Sequence, residues 1–283
     1  MNGCDMTVQS YETIACERAG SAESIAIIAL NRPTRANAMT PKMAEELGLA
    51  CRDCLVDPSV KAIVLTGKGK HFCPGLDAND ARDLAARIAK GIHPAEPYDG
   101  NLRRLHQATL AIYNATKPII AAVNGAAAAG GLDIALACDY RLAATTARFS
   151  ESYIKLGLPP LNGGAWLLRR VVGDSTALRM IATGEVLDAD AALGIGLVDE
   201  LHASDVLLDK AIAFAEQVST APAAVIEFIK REFRTKGRLE DALARVFVAG
   251  IGFSRSEAFK SGSEQIPDRK AASKASETNE PRP

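Results

Sequence analysis

The chain has 283 residues, enough to bury a full core and to form one large domain or one domain with an appendage. Its 33 Lys and Arg nearly balance 34 Asp and Glu, which excludes an overall electrostatic attraction to nucleic acid or to an anionic membrane. Residues 1–20 scatter charged and polar groups with no continuous apolar core, so they are not expected to act as a secretory leader and a cytoplasmic protein is expected.

Segments 11–18 and 24–30 read as two strands around a turn at Ala19-Gly20-Ser21. Segment 41–56 reads as a helix capped by Thr40, with Pro41 at its first position. Cys51 and Cys54 lie on that helix, but no second pair follows. The six cysteines therefore read as reduced structural thiols, and the four histidines show no metal-ligand spacing, so no metal is expected.

A strand over 61–65 carries the buried apolar run Ala62-Ile63-Val64-Leu65 and ends in a turn at Thr66-Gly67-Lys68-Gly69. Beyond it stands His71-Phe72-Cys73-Pro74-Gly75-Leu76-Asp77, where Gly75 can hold a conformation closed to other residues and turn the Leu76 amide inward. Region 78–116 is rich in charge, with Gly91, Pro94 and Pro97 interrupting two helical stretches. A mobile lid or a pocket wall is expected there.

Strand 119–123 leads through Asn124-Gly125 and a run of alanines into Gly130-Gly131-Leu132-Asp133, which opens a helix. The first N–H groups of a helix have no internal partner and lie at the positive end of its dipole, so Gly130 N–H is a ready anion donor. Two such amides from separate turns can form an oxyanion hole. Taken singly, each segment also fits an ordinary turn or close packing. Region 118–138 has about the length of a membrane span, but Asn124, Asp133 and its glycines fit a buried strand, turn and helix instead.

Strand 139–143 and helix 164–172 then repeat the strand, strand, helix order. From Ser204 onward only helices are expected, over 204–218, 222–234 and 239–254. Segment 271–283 has no aromatic or branched apolar residue and is expected to be disordered.

Leu30-Asn31-Arg32-Pro33 with Asn37-Ala38-Met39, Lys117-Pro118-Ile119-Ile120-Ala121-Ala122-Val123-Asn124-Gly125, and Ala182-Thr183-Gly184 followed by Ala189 to Val198 join the two glycine segments in a single order. Together, over roughly residues 8 to 270, they resemble the crotonase superfamily, the enoyl-CoA hydratase/isomerase family. The resemblance implies an α/β fold, a spiral of stacked ββα units over 1–200 carrying the CoA site. It also implies C-terminal helices over 201–270 that assemble a homotrimer or a hexamer of paired trimers. The implied ligand is an acyl-CoA thioester, with coenzyme A as part of the substrate and no other cofactor.

By the same resemblance Leu76 and Gly130 match the two oxyanion donors. Asp77 and the backbone of His71, Phe72 and Cys73 match the region that holds the bent CoA adenine and pantetheine. Gly75 and Gly131 are read with them as substrate-contacting backbone, and region 78–116 as the acyl-pocket wall. A hydratase of the family carries two glutamates. At the first position this chain has Asp133, shorter by one methylene or about 1.5 Å, as in dienoyl-CoA isomerases of the superfamily. Asp133 is thus a candidate base, or a cap on the first turn of its helix.

Tyr153 stands at the second position. A phenol of reference pKa ≈ 10 can donate a hydrogen bond but is a poor resting base. Glu151 lies two residues earlier and would share a face with Tyr153 on an extended segment. Three readings follow: a lyase or isomerase using Asp133 with Tyr153 as donor; a decarboxylase, which needs the hole and no strong base; or a CoA-binding protein with little turnover. A serine hydrolase is disfavoured, because no G-x-S-x-G occurs.

Overall fold

The computed structural model describes residues 11–77, 82, 86–87, 90–91 and 101–264. The tail over 271–283 and, of the lid or pocket wall expected over 78–116, residues 78–81, 83–85, 88–89 and 92–100 lie outside the described residues. The chain divides into two compact units, Met1–Ala223 and Ala224–Pro283.

In the first unit, strands β1 (Ile14–Ala19), β2 (Ile25–Leu30), β3 (Ala62–Gly67), β4 (Ile119–Val123), β6 (Tyr140–Ala144) and β9 (Glu200–His202) form one sheet in the order β1-β2-β3-β4-β6-β9. β1 is antiparallel to β2, and every later neighbour is parallel. The short strands β5 (Ala126–Ala128), β7 (Arg148–Ser150) and β8 (Leu187–Asp188) make a second sheet. Helices α1 (Pro41–Val56), α2 (Asn101–Tyr113), α3 (Gly130–Ala137), α4 (Gly164–Val172), α5 (Asp174–Thr183), α6 (Ala189–Gly194) and α7 (Leu207–Val218) alternate with these strands.

Parallel strands covered on both faces must be apolar on both, and β2, β3 and β4 are. Ala26, Ile28 and Leu30 with Ile63, Leu65, Ala121 and Val123 face one core, filled from α1 by Met43 and Leu47, from α2 by Leu105 and Ile112, and from α3 by Leu132. The alternate residues Ile25, Ile27, Val64, Ile120 and Ala122 face a second core with Leu207, Ala211 and Ala215. Those three recur every fourth residue, one stripe of α7. The helix that the sequence reading groups with the C-terminal region thus closes one face of the sheet.

Thr40 caps α1 as expected, its Oγ1 accepting the Met43 N–H at 3.2 Å. Cys51 and Cys54, on its buried face, are thiols that form no disulfide. Burial pushes the Cys54 thiol up to about 12, which disfavours the reactive thiolate. No single helix among the described residues is long and apolar enough to cross a membrane.

The second unit contains α8 (Ala223–Arg234), α9 (Leu239–Phe253) and α10 (Glu257–Glu264). Phe228 meets Phe253 edge to face at 5.6 Å, and Arg245 makes a forked ion pair with Glu232 at 2.9 Å. Phe233, Leu243, Phe247 and Val248 nevertheless stay 77%, 59%, 72% and 69% exposed.

Candidate active site

Two backbone turns meet at the C-terminal ends of β3 and β4. The Met39 N–H donates to Gly75 O at 2.7 Å and the Asp77 N–H to Met39 O at 3.0 Å, so Leu76 is bracketed as in a parallel bridge. Within such a bridge the middle residue's own N–H points to the opposite edge. Cys73 already uses that edge for β5, donating to Ala126 O and accepting from Ala128 N–H. Gly75, at φ +101°, is the kink that re-aims the chain between the two pairings.

That kink touches the start of α3. A Cβ on Gly75 would stand 3.3 Å from Gly130 N. The residue before Gly130 is strained: Ala129 has φ 46° and ψ −124°, outside the regions open to an L side chain, a cost of about 1–3 kcal/mol. Ala129 is held there by its own N–H to Ser150 O at 2.9 Å and by its carbonyl, which accepts the Asp133 N–H at 3.0 Å. Among the described residues no hydrogen bond is made by the Leu76 or Gly130 amides within the backbone network.

The other residues read from the sequence fall into three groups. Phe72 and Cys73 are fully buried in the core, so their side chains serve packing. Gly131 is glycine because a Cβ would lie 2.0 Å from Cys73 O, a close approach of two main chains. His71 is exposed, and its carbonyl accepts Asn37 Nδ2 at 2.7 Å. Asn37 also bonds Lys68 O and the Arg32 N–H, each at 2.9 Å, which explains the Asn in the opening motif.

Asp77 is 3% exposed and holds Arg32 at 3.1 Å and Arg35 at 3.0 Å. Removing its carboxylate leaves two guanidiniums against each other below the Leu76 turn. Asp77→Ala should therefore lower unfolding stability by about 1–3 kcal/mol in a urea titration, a figure moderated by the partial exposure of both arginines.

Asp133 lies on the first turn of α3 and is fully buried. Its Oδ2 accepts the Tyr153 hydroxyl at 2.8 Å. The carboxylate is thus engaged across the site, toward the turn that carries Tyr153. Burial pushes Asp133 up to about 7, opposed first by the Tyr153 hydrogen bond and then by the nearness of the Glu151 carboxyl and the Asn162 amide, which favour the anion. Tyr153 is 4% exposed, and burial followed by the Asp133 charge holds its phenol protonated, far above the usual range. Its hydroxyl oxygen would stand 3.3 Å from a Cβ on Gly130, so the phenol, the carboxylate and the Gly130 backbone share one space.

Sequence reasoning left Glu151 without a place. It is fully buried, at the N-cap of a short 3-10 helix, Ser152–Leu156, and burial together with the Asp133 charge pushes its carboxyl up to about 10. Nearby, Asn162 and Thr109 bond reciprocally at 3.0 and 2.8 Å, tying the α4 entry loop to α2. Both residues line a cavity of about 480 Å³ with Leu110, Tyr113 and Trp166.

A family model described as "Enoyl-CoA hydratase/isomerase" matches residues 20–261. A probable enoyl-CoA hydratase of Mycobacterium tuberculosis is 39% identical over 210 residues, 74% of this chain and 78% of that protein. An (E)-benzylidenesuccinyl-CoA hydratase of Thauera aromatica is 35% identical over 209 residues, 73% of this chain and 77% of that protein. Among solved structures, an enoyl-CoA hydratase from Bacillus anthracis superposes with a TM-score of 0.80 at 26% identity, covering 89% of this chain and 95% of that one.

Proposed function

Since the chain belongs to the enoyl-CoA hydratase/isomerase family, we propose that it turns over an acyl-CoA thioester through an enolate, with Leu76 and Gly130 as the amide donors and Asp133 as the proton acceptor. The observation that carries this reading is the buried Asp133 carboxyl, bonded by Tyr153 at 2.8 Å on the same helix turn as Gly130.

When the α-proton leaves as H⁺ to Asp133, the C–H electron pair moves onto the thioester oxygen. Two N–H dipoles fixed beforehand stabilise that charge without reorganising, and each such donor is worth roughly 2.7–4 kcal/mol of barrier. A base is most effective when its pKa lies near the working pH, and burial brings Asp133 to about 7. Tyr153 steadies the carboxylate and stays a donor throughout. Returning the proton at another carbon gives isomerisation; in hydration Asp133 instead takes a proton from the water whose oxygen adds to the β-carbon of the enoyl thioester, the C=C electron pair moves to give the same enolate, and that proton is returned to the α-carbon. The cavity beside α2 supports the acyl-wall role read for region 78–116, and the exposed apolar residues of the second unit support assembly into a trimer or hexamer.

The test is turnover of crotonyl-CoA, followed by loss of enoyl absorbance, with malonyl-type thioesters in parallel. Gly130→Val should lower kcat at least about 10²-fold by crowding the hole, while the oligomer and its Tm persist. Unchanged activity in that variant refutes the Gly130 assignment. Turnover of malonyl-type thioesters alone moves the reaction to decarboxylation, and binding of CoA thioesters without turnover moves it to the binding-protein reading.

A further inference from the structure

Two carboxyl groups share one buried space in this protein, and among the described residues no cation pairs with either. Glu151 and Asp133 are both fully buried. Among the described residues, Asp133 Oδ1 and both Glu151 oxygens find no hydrogen-bond partner of good geometry. The two groups front the same point of backbone: a Cβ on Gly164 would stand 2.2 Å from Asp133 Oδ1 and 2.9 Å from Glu151 Oε1. Among the described residues, the other titratable groups that act on this cluster are Tyr153, from the 3-10 helix, and Cys73, from the segment after β3 that bridges to β5. Gly164, the residue of α4 that faces the pair, has no side chain.

Two like charges that converge on one point of backbone, away from water, cannot both persist, so one proton is retained. The unmatched atoms fit that proton. A neutral Glu151 has an O–H to give, Asp133 Oδ1 has lone pairs to receive it, and a single hydrogen bond satisfies both groups.

We propose that Glu151 is a positioning residue for Asp133: held as the neutral acid, it donates its O–H to Asp133 Oδ1 while Tyr153 holds Oδ2. The proposal rests on the reading of Asp133 as the proton acceptor. Gripped at both oxygens, the carboxylate cannot rotate, and each oxygen keeps a second lone pair for the substrate's proton. The donor also favours the Asp133 anion. Tyr153 already donates to Asp133 Oδ2 at 2.8 Å and favours the anion there, whereas neither Glu151 oxygen receives a donor among the described residues, so the retained proton resides on Glu151. The second carboxyl of the site thus enters from a position two residues before Tyr153.

Infrared difference titration of the unmodified protein tests this without turnover. A carboxylic acid C=O band that persists above pH 8 and disappears in E151Q is expected; no protonated carboxyl at that pH overturns the proposal. Kinetics give the second arm. In E151L the donor is lost, so the acid limb of the kcat profile should move up by about one pH unit, and kcat at pH 6 should fall about tenfold with KM within about twofold. E151Q retains an N–H donor and should keep its acid limb close to that of the unmodified protein. An E151L limb that has not moved, or an E151Q limb displaced as far as that of E151L, overturns the positioning role. If no thioester is turned over, the proposed reaction fails while the infrared arm still decides where the proton resides.

Discussion

Replacing Asp133 with asparagine should lower kcat on the enoyl thioester by about 10²- to 10⁴-fold, with a much smaller change in KM, in steady-state assays at pH 8. Asparagine is nearly isosteric, and its amide oxygen can still accept from Tyr153, so packing is kept while the basic lone pair is lost. In the unmodified protein kcat should fall as pH drops through about 7, where Asp133 takes up a proton. The same shift fixes the sign of the stability effect. Because the folded-state pKa lies above the reference value of 3.8, the folded protein binds the proton more tightly than the unfolded chain. Stability is therefore fully present below about 4 and is lost as pH rises through about 7. Asp133→Asn removes that loss, so its Tm should exceed that of the unmodified protein at pH 8 and converge with it toward pH 4. A variant that is both less stable at pH 8 and within threefold in kcat would sink the base assignment.

Much of the frame is legible because it depends on local pattern. Runs such as Ile25–Leu30 and Ile119–Val123 are apolar on both faces, as strands buried between two cores must be. Thr40 and Pro41 mark the start of α1 by their own chemistry. The second sheet is not legible in the same way, since β5 is three alanines, β7 is three residues and β8 is two, paired only through contacts distant in sequence.

The site divides along the same line. Gly75 and Gly130 announce themselves as backbone positions, whereas nothing in an alanine run marks Ala129 as the residue at φ 46°. Asp133 was open to a capping role, and the three-dimensional partner that decides its engagement, Tyr153, comes from another turn. An extended segment would have put Glu151 and Tyr153 on one face by pleating. Instead Glu151, at φ −87° and ψ 67°, breaks the strand, and Tyr153 follows on a 3-10 turn that brings both side chains round to Asp133.

Adding one methyl at Gly164 should reduce kcat by about 10²-fold or more and lower stability by about 1–3 kcal/mol. By helix propensity alone the change would not hurt, since alanine is a better helix former than glycine and Gly164 opens α4. Here the sign reverses because the space is already filled. The new Cβ would lie 2.2 Å from Asp133 Oδ1, 2.9 Å from Glu151 Oε1 and 3.1 Å from Pro160 Cβ. The Asp133 carboxylate is short and has no free rotation that keeps its 2.8 Å bond to Tyr153, so it must swing away and leave the phenol unpaired in a buried space. The control is Gly48→Ala on α1, where the added Cβ would stand 3.5 Å from Ala108 Cα, an ordinary contact. That variant should match the unmodified protein in kcat and change stability by less than about 1 kcal/mol. The comparison separates a general intolerance of alanine from a clash at the carboxyl pair: if both variants lose activity alike, or if Gly164→Ala retains it, the two carboxyls do not converge on Gly164 in the working enzyme.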